Sequence, residues 1–187
     1  MSHKKPVIHK VTSVAHSRLF EIEAVDLEFS NGACVQYERM RGSMNGAVLI
    51  VPMLDDDTIL LIREYVVGAE RYELAFPKGR IESDEAILVA ANREIMEETG
   101  YAAKTLTHLY SMTLAPGFLC SETHIVLAEG LYEDRREGDE PEELEVVPWK
   151  LSDNQLLLAQ KDFTEARSIA ALYMVKEHIQ NRNKGRT

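Results

Sequence analysis

The sequence lacks the features that would place it in an oxidising compartment or in a membrane. Among 187 residues it has only two cysteines, Cys34 and Cys120, which excludes a disulfide framework and leads us to expect two buried thiols. It has no apolar run near the ~20 residues of a membrane span, and its first residues lack the apolar core of a signal peptide. We therefore expect a cytoplasmic protein that makes no membrane contact.

Positive charge is also scarce. The chain has 21 Lys and Arg against 31 Asp and Glu, which gives a net charge of −10. A protein that binds nucleic acid without sequence preference needs a basic face, so this balance argues against a nucleic-acid partner. The same balance would repel an anionic substrate, unless a bound metal ion bridges carboxylate and phosphate.

The length is that of one domain with an added arm. Residues 1–45 are predicted to form an N-terminal β-hairpin segment, because 19–29 and 33–39 alternate between apolar and polar side chains on either side of a turn. Residues 46–187 have longer apolar runs and form the main domain.

The patterning of the chain predicts an α/β protein. Strands are predicted at 19–29, 33–39, 47–54, 58–65, 72–75, 105–114, 121–132 and 144–149. Helices are predicted at 84–99, 152–160 and 163–181, with cap candidates at Ser83 or Asp84, Ser152 and Thr164. The first four strands form two hairpins, the second closed by Asp55-Asp56-Asp57, an acidic run that is more typical of a turn than of a metal site. Together these elements predict an α/β sandwich with a mixed sheet, preceded by an antiparallel β segment.

The most informative segment is GRIESDEAILVAANREIMEETGY, residues 79–101. Its helical part has apolar residues around most of its circumference, which predicts burial on more than one side. Glu94, Glu97 and Glu98 are spaced i, i+3, i+4, so a helix places all three carboxylates on one face. Taken alone, the triplet is more typical of a solvated acidic face. Like charges this close repel, however, and a hard cation such as Mg²⁺ would compensate them.

The whole segment is more specific than the triplet. It contains glycine, five residues, glutamate, seven residues, and then Arg-Glu-aliphatic-any-Glu-Glu-any-Gly-bulky apolar, with Tyr101 as a less usual last residue. This pattern resembles the signature box of the Nudix hydrolases, which cleave pyrophosphates that link a nucleoside diphosphate to another group. The resemblance implies an α/β/α sandwich with a mixed sheet, in agreement with the patterning.

The resemblance also implies a metal site. Glu94 and Glu98 would be direct ligands, Glu97 would lie close by, and the backbone carbonyl of Lys78 would add a further ligand. Mg²⁺ is the expected ion, with Mn²⁺ as a substitute, because hard cations prefer oxygen ligands. Gly79 would let the loop bring that carbonyl to the metal.

Four residues are candidates for catalytic roles by the same resemblance. Glu140 is the first candidate for the catalytic base and Glu142 the second, because the family often takes its base from a loop beyond the box. Glu97 and Arg93 complete the set, with Arg93 expected mainly to orient its neighbours. A solvated acidic loop remains the alternative for residues 137–143, in which Glu143 could instead contact a metal.

Features outside the box resemble the ADP-ribose pyrophosphatase branch of the family. They are Leu61-Ile62-Arg63-Glu64-Tyr65, Tyr72-Glu73-Leu74 and Pro116 within Leu-Ala-Pro-Gly-Phe. Phe76-Pro77-Lys78-Gly79 departs from the commoner Leu-Pro-Ala-Gly and, with residues 138–142, resembles the ADP-compounds hydrolase (NudE-like) subgroup. The candidate substrate-binding residues are Arg63, Tyr65, Arg39, Arg41 and Pro116. A core strand tyrosine and a turn proline would explain Tyr65 and Pro116 equally well.

The resemblance implies hydrolysis of ADP-ribose, NADH and diadenosine polyphosphates, with release of AMP. It also implies a homodimer in which the N-terminal segment is the dimerisation arm and both subunits line the adenine pocket. One alternative keeps the chemistry and changes the substrate to a GDP-sugar or another nucleoside diphosphate derivative. The other is a non-catalytic sensor that binds ADP-ribose, although such proteins often lack box glutamates that this chain has.

Overall fold

The structure, a computed structural model, describes residues 4–42 and 45–184. The chain divides into two compact units. The first comprises Met1–Gly46 and Thr113–Glu122, and the second comprises Ala47–Met112 and Thr123–Thr187. The sequence-based division at residue 45 did not include the segment 113–122 in the N-terminal unit.

The described residues form strands and helices throughout both units. The strands are β1 (Val7–His16), β2 (Glu21–Glu28), β3 (Cys34–Arg41), β4 (Ala47–Pro52), β5 (Thr58–Val66), β6 (Arg71–Ala75), β7 (Lys78–Arg80), β8 (Tyr101–Thr113), β9 (Leu119–Cys120), β10 (Glu122–Glu133) and β11 (Glu145–Lys150). The helices are α1 (Ile87–Thr99), α2 (Asn154–Leu158) and α3 (Ala166–Lys184), with a short 3₁₀ turn at Leu151–Asp153 before α2.

The N-terminal unit is a four-stranded sheet with the order β1-β2-β3-β9. The first predicted hairpin forms, since β2 and β3 pair antiparallel from Glu21↔Arg41 to Glu28↔Cys34. Gly32 turns the chain with a φ of +81°, a conformation that glycine adopts without strain. The expectation of buried thiols is wrong, because both Cys34 and Cys120 are exposed in this sheet.

The second predicted hairpin is wrong. β4 lies between β7 and β10 in the sheet β7-β4-β10-β8, whereas β5 lies between β11 and β6 in another sheet. Only a bridge between Met53 and Ile59 joins their neighbouring ends. The apolar run of β4 suits a central strand covered on both faces, and its ladder partner is the parallel strand β10 rather than the next strand in sequence. The intervening Asp55 does form the predicted turn, accepting hydrogen bonds from the backbone of Asp57 and Thr58.

The sheet that contains β4 is covered by a helix on each face. Val48 and Ile50 pack on one face with Ile95 of α1. Leu49 and Val51 point to the other face and pack in a cluster that includes residues of α3. These β4 side chains are fully buried, and each such aliphatic side chain contributes about 1.5–3 kcal/mol by leaving water. The predicted α/β/α sandwich with a mixed sheet is thereby confirmed.

Helix α1 differs from its prediction at the start and agrees at the end. It begins at Ile87, and Ala86 occupies the capping position without a side-chain hydrogen bond, so the expected caps at Ser83 or Asp84 are wrong. Asp84 instead adopts a left-handed conformation, with a φ of +64°. The helix ends as predicted, because Gly100 takes the left-handed conformation of a C-terminal cap.

The burial of α1 is one-sided rather than complete. Ala90, Ala91 and Ile95 are buried against the sheet, but Val89 is 59% exposed and Leu88 is 38% exposed. The expectation that α1 is buried on more than one side is therefore wrong.

The two later helices start after their predicted positions. Ser152 does not cap a helix, because its hydroxyl donates to Asp57 at 2.8 Å. Thr164 likewise donates to Glu73, and the carboxylate of Glu165 accepts the Ser168 backbone N–H at the start of α3. None of the helices in the described part of the chain is long and apolar enough to cross a membrane.

Candidate metal and catalytic site

The glycine that opens the box lies directly against the first box carboxylate. Gly79 is in β7, opposite Val48 of β4. A Cβ at Gly79 would lie 2.0 Å from both the Cδ and one carboxylate oxygen of Glu94. No larger residue fits without moving that carboxylate. The glycine therefore permits this close packing with Glu94, and its φ is not positive.

Arg93 connects the carboxylates of this region. Its Nη1 donates to Glu94 at 2.8 Å and to Glu97 at 3.0 Å, and its Nε donates to Glu85 at 2.9 Å. Its Nη2 also donates to the backbone carbonyl of Arg80. The Arg93 side chain is only 11% exposed, and its guanidinium lowers the pKa of Glu85. Charge-assisted bonds to several partners fix the relative positions of these groups. Glu85 precedes α1, whereas the predicted helix 84–99 would have placed it in the first turn.

The last box carboxylate belongs to a second cluster. Glu98 is buried, and one carboxylate oxygen each from Glu98, Glu64 and Glu140 lie within 4.8 Å of one another. The backbone N–H of Lys78 donates to Glu98 at 2.9 Å, and the Lys78 Nζ pairs with Glu64. An all-oxygen donor set of this kind fits a hard divalent cation. Sequence reasoning did not assign a role to Glu64, which lies in β5 within the run 61–65 that resembles the ADP-ribose pyrophosphatase branch.

The electrostatics of the cluster favour a bound cation. Burial raises the pKa of Glu98 well above its usual value, against the opposing charge of Lys78. Burial also raises the pKa of Glu94, although the Arg93 charge opposes it. The pKa of Glu140 is raised by burial and by the Glu64 charge. Carboxylates in this setting favour the neutral form until a positive charge compensates them.

The loop after β10 is attached to the end of α1. Arg136 donates its backbone N–H to the Met96 carbonyl at 3.2 Å, and its Nε lies 3.2 Å from a Glu97 carboxylate oxygen. Asp134 donates its backbone N–H to the Gly100 carbonyl. The loop and α1 enclose a cavity of about 470 Å³, lined by residues 135–144 and by Glu94, Glu97 and Glu98. The box carboxylates and the predicted base loop therefore face one space.

Within that loop the acidic residues have different partners. Glu140 lies with Glu64 and Glu98, as described above. Glu142 accepts a hydrogen bond from the Tyr72 hydroxyl at 2.7 Å. The Glu143 carboxylate lies 3.5 Å from the Arg135 guanidinium, and Glu143 also lines the cavity. Of the two base candidates, Glu140 is the one that lies beside the box carboxylates.

The strand that carries Glu64 also carries two predicted substrate-binding residues. Successive side chains of a strand point to opposite faces, so Arg63 and Tyr65 point away from the face of Glu64. The Arg63 guanidinium binds Glu145 at 2.9 Å and also pairs with Asp162. Tyr65 is not a core residue, since it is 53% exposed. Its ring packs edge-on against Tyr72 at a centroid distance of 5.6 Å.

The remaining substrate-binding candidates lie in the N-terminal unit. Arg39 donates from Nε to the buried Glu23 at 2.8 Å, and Arg41 lies 3.6 Å from the same carboxylate. Pro116 is exposed in a turn closed by a hydrogen bond from the Phe118 backbone N–H to the Ala115 carbonyl. The turn explanation for Pro116 is confirmed, whereas its contact with substrate stays a prediction.

Comparison with known proteins gives matches along nearly the whole chain. Residues 6–39 match the family model of a NudE-type Nudix hydrolase N-terminal domain, and residues 44–172 match that of a NUDIX domain. The chain is 49% identical over 183 residues to the ADP compounds hydrolase NudE of Escherichia coli (strain K12), which covers 98% of each protein. It is 31% identical over 177 residues to the ADP-ribose pyrophosphatase of Bacillus subtilis (strain 168), covering 90% of this chain and 95% of that protein. A crystal structure of an ADP compounds hydrolase matches with a TM-score of 0.91 at 49% identity, over 97% of this chain and 98% of that one.

Proposed function

Because the chain belongs to the Nudix hydrolase family, with an N-terminal domain of the NudE type, we propose that it hydrolyses the pyrophosphate bond of ADP-linked compounds and releases AMP. Its substrates would be ADP-ribose, NADH and diadenosine polyphosphates. The observation that carries the proposal is that Glu94, Glu97, Glu98 and the acidic loop line one cavity. Relatives named for ADP compounds and for ADP-ribose support the choice of an ADP-linked substrate.

The metal would be Mg²⁺, with Mn²⁺ as a substitute. Glu98 and Glu94, with Glu97 and the Lys78 carbonyl, would hold it, and the proximity of Glu64 to Glu98 adds a further oxygen donor to this set. When bound, the metal supplies charge neutralisation of the pyrophosphate and orientation of the attacking water. Arg93 would keep Glu94 and Glu97 in place through its hydrogen bonds to both carboxylates.

The general base would be Glu140 rather than Glu142. A base for water must be free to accept a proton, and the raised pKa of Glu140 brings it closer to neutral pH. The Glu142 carboxylate already accepts a hydrogen bond from the Tyr72 hydroxyl, which suits a residue that positions the loop.

Recognition of the nucleotide would involve aromatic and basic residues. The exposed ring of Tyr65 supports a role in stacking on adenine. Arg63 is already paired with Glu145 and Asp162, so it would bind a phosphate only by exchanging one of these partners. Arg39, Arg41 and Pro116 stay predicted substrate-binding residues. Alanine variants that raise KM for ADP-ribose without changing kcat would assign that role to any of them.

The protein would act as a homodimer in the cytoplasm. Strand β1 exposes a series of apolar side chains, namely Val7, Ile8, Val11 and Val14, which an unpartnered surface rarely shows together. Two exposed thiols suit a reducing compartment. Val11→Glu should convert a dimer into a monomer in light scattering coupled to gel filtration. A monomeric wild-type protein would contradict the proposal.

The activity is tested by incubating the protein with ADP-ribose, NADH, diadenosine tetraphosphate and a GDP-sugar, and measuring nucleotide products by chromatography. We expect AMP from the ADP-linked compounds in Mg²⁺ and none in EDTA. Glu98→Gln should lower kcat more than ~100-fold. Even substitution of residues that only hydrogen-bond to a metal's direct ligands lowers metal affinity or activity about 10–100-fold. Glu177→Gln, at an exposed position of α3, is the control that removes one carboxylate outside the site.

The same panel separates the alternatives. Product only from the GDP-sugar would favour the other substrate class. Tight binding of ADP-ribose in Mg²⁺ without AMP would favour a sensor. Full activity of Glu98→Gln would overturn the proposed mechanism.

A further inference from the structure

One residue in the box region provides both an amide and an ammonium group to the acidic cluster. Lys78 begins β7, directly before Gly79. Its backbone N–H donates to Glu98 at 2.9 Å, while its Nζ pairs with Glu64. The Lys78 and Glu64 side chains are only 15% and 16% exposed. This lysine is also one of the two positions, with Phe76, at which the Phe-Pro-Lys-Gly sequence departs from the commoner Leu-Pro-Ala-Gly.

When the carboxylates of the cluster are ionised and no metal is bound, a nearby positive charge stabilises them. Oxygens of Glu64, Glu98 and Glu140 lie within 4.8 Å of one another, and like charges at that separation repel strongly where water is partly excluded. With an alanine at position 78, only a bound metal would compensate that repulsion. A lysine ammonium is a compact charge on a flexible stem, so it can approach a carboxylate and can also leave it.

We propose that the Lys78 ammonium is the resident counter-ion of the Glu64–Glu98–Glu140 cluster in the metal-free protein, and that an entering divalent cation competes with it for Glu64. The inference rests on the proposed metal-dependent function. It makes Lys78 a positioning residue that sets the cation concentration at which the site fills. The competition is reciprocal, so the cation must weaken the Lys78–Glu64 pair as much as the lysine weakens cation binding.

The competition gives Lys78→Met two effects of opposite sign. Methionine keeps the backbone amide and carbonyl of position 78 and fills similar space without charge. The metal-free variant should melt at a lower temperature than the wild type, because the carboxylates lose their counter-ion. It should nevertheless bind a divalent cation more tightly, because the competitor is gone. A purely structural lysine would not strengthen cation binding when removed.

The experiment measures Mn²⁺ affinity from the electron paramagnetic resonance signal of the free ion, and melting temperature in EDTA and in Mg²⁺. Lys78→Met should bind Mn²⁺ about fivefold or more tightly, in the usual range of coupling between two sites. It should also show a larger rise in melting temperature when Mg²⁺ replaces EDTA. Lys78→Arg keeps the charge and should retain the wild-type affinity. Lys150→Met is the matched control, because Lys150 donates to Thr58 at 2.7 Å in an ion-pair network with Asp55 outside the cluster.

Unchanged or weaker Mn²⁺ affinity in folded Lys78→Met overturns the inference. If that variant unfolds in EDTA, Lys78→Gln takes its place, because its uncharged amide can still donate to Glu64. Tighter Mn²⁺ binding is expected for this variant too. If the wild-type protein binds Mn²⁺ and releases AMP, but its Mn²⁺ affinity equals that of the variant, the result contradicts the inference alone. A wild-type protein that binds no Mn²⁺ contradicts both the inference and the proposed function.

Discussion

Replacing Gly79 with alanine should disable the site while leaving the fold intact. The added Cβ would lie 2.0 Å from the Glu94 carboxylate, whereas ordinary contact begins at 3.4 Å, so the carboxylate must move by about 1.4 Å. The backbone is not strained by the change, because Gly79 does not have a positive φ. A movement of this size would disturb the hydrogen bond that Glu94 accepts from Arg93 at 2.8 Å. Misplacing a catalytic group by about 1 Å can cost 100-fold in rate.

We therefore expect Gly79→Ala to lower kcat/KM for ADP-ribose about 100-fold or more and to weaken Mn²⁺ binding. The assay is AMP release under steady-state conditions, together with the melting temperature in EDTA. Gly68→Ala is the matched control, because a Cβ there would meet nothing within 4 Å and its φ is not positive. Activity of Gly79→Ala within threefold of the control would refute the argument. It would mean that Glu94 can move by more than an ångström without loss of function.

Three further predictions concern charge and the loop. Because burial raises the pKa of Glu98, its stabilising effect in metal-free protein is present below the usual value of 4.5 and is lost as the pH rises through the raised pKa. The melting temperature in EDTA should thus fall as the pH rises above 4.5, and Glu98→Gln should flatten that slope. An equal slope in the variant would contradict this prediction. Arg93→Lys should lower the free energy of unfolding in urea by about 3–5 kcal/mol. A single ammonium cannot keep hydrogen bonds to three mostly buried carboxylates. A loss below about 1 kcal/mol would show that water replaces these hydrogen bonds. Tyr72→Phe removes the donor to Glu142 and should speed amide hydrogen exchange in residues 137–143 without changing the melting temperature. Unchanged exchange would mean that the hydroxyl does not position the loop.

Elements with local signals were predictable from the sequence. The β2–β3 hairpin has its turn and its alternation within 21 residues, and helix α1 ends where Gly100 caps it. The hairpin of β4 and β5 failed because a continuous apolar run indicates a buried strand without naming its partner. The partners of β4 are β7 and β10, and β10 lies more than 70 residues later in the chain.

Side-chain caps were the weakest local prediction. Ser152 and Thr164 lie near the starts of helical segments, but their hydroxyls bind carboxylates from distant parts of the chain, Asp57 and Glu73. A capping hydroxyl is a short polar group with many possible partners, and tertiary packing decides which partner it meets. Burial of the cysteines and of α1 failed for a related reason, since residue type alone does not say what covers a surface.

By itself, the sequence determined the class of reaction and the α/β sandwich. The box needs only one turn of helix and one close glycine to place its carboxylates, and that information is contained in 23 consecutive residues. The tertiary structure decided which carboxylates meet. It placed Glu64 beside Glu98 and Glu140 and its neighbour Arg63 on the opposite face, because strand β5, helix α1 and the loop after β10 converge only when the sheets are packed. It also placed the Lys78 ammonium on Glu64, a contact between residues on two strands that no local spacing predicts.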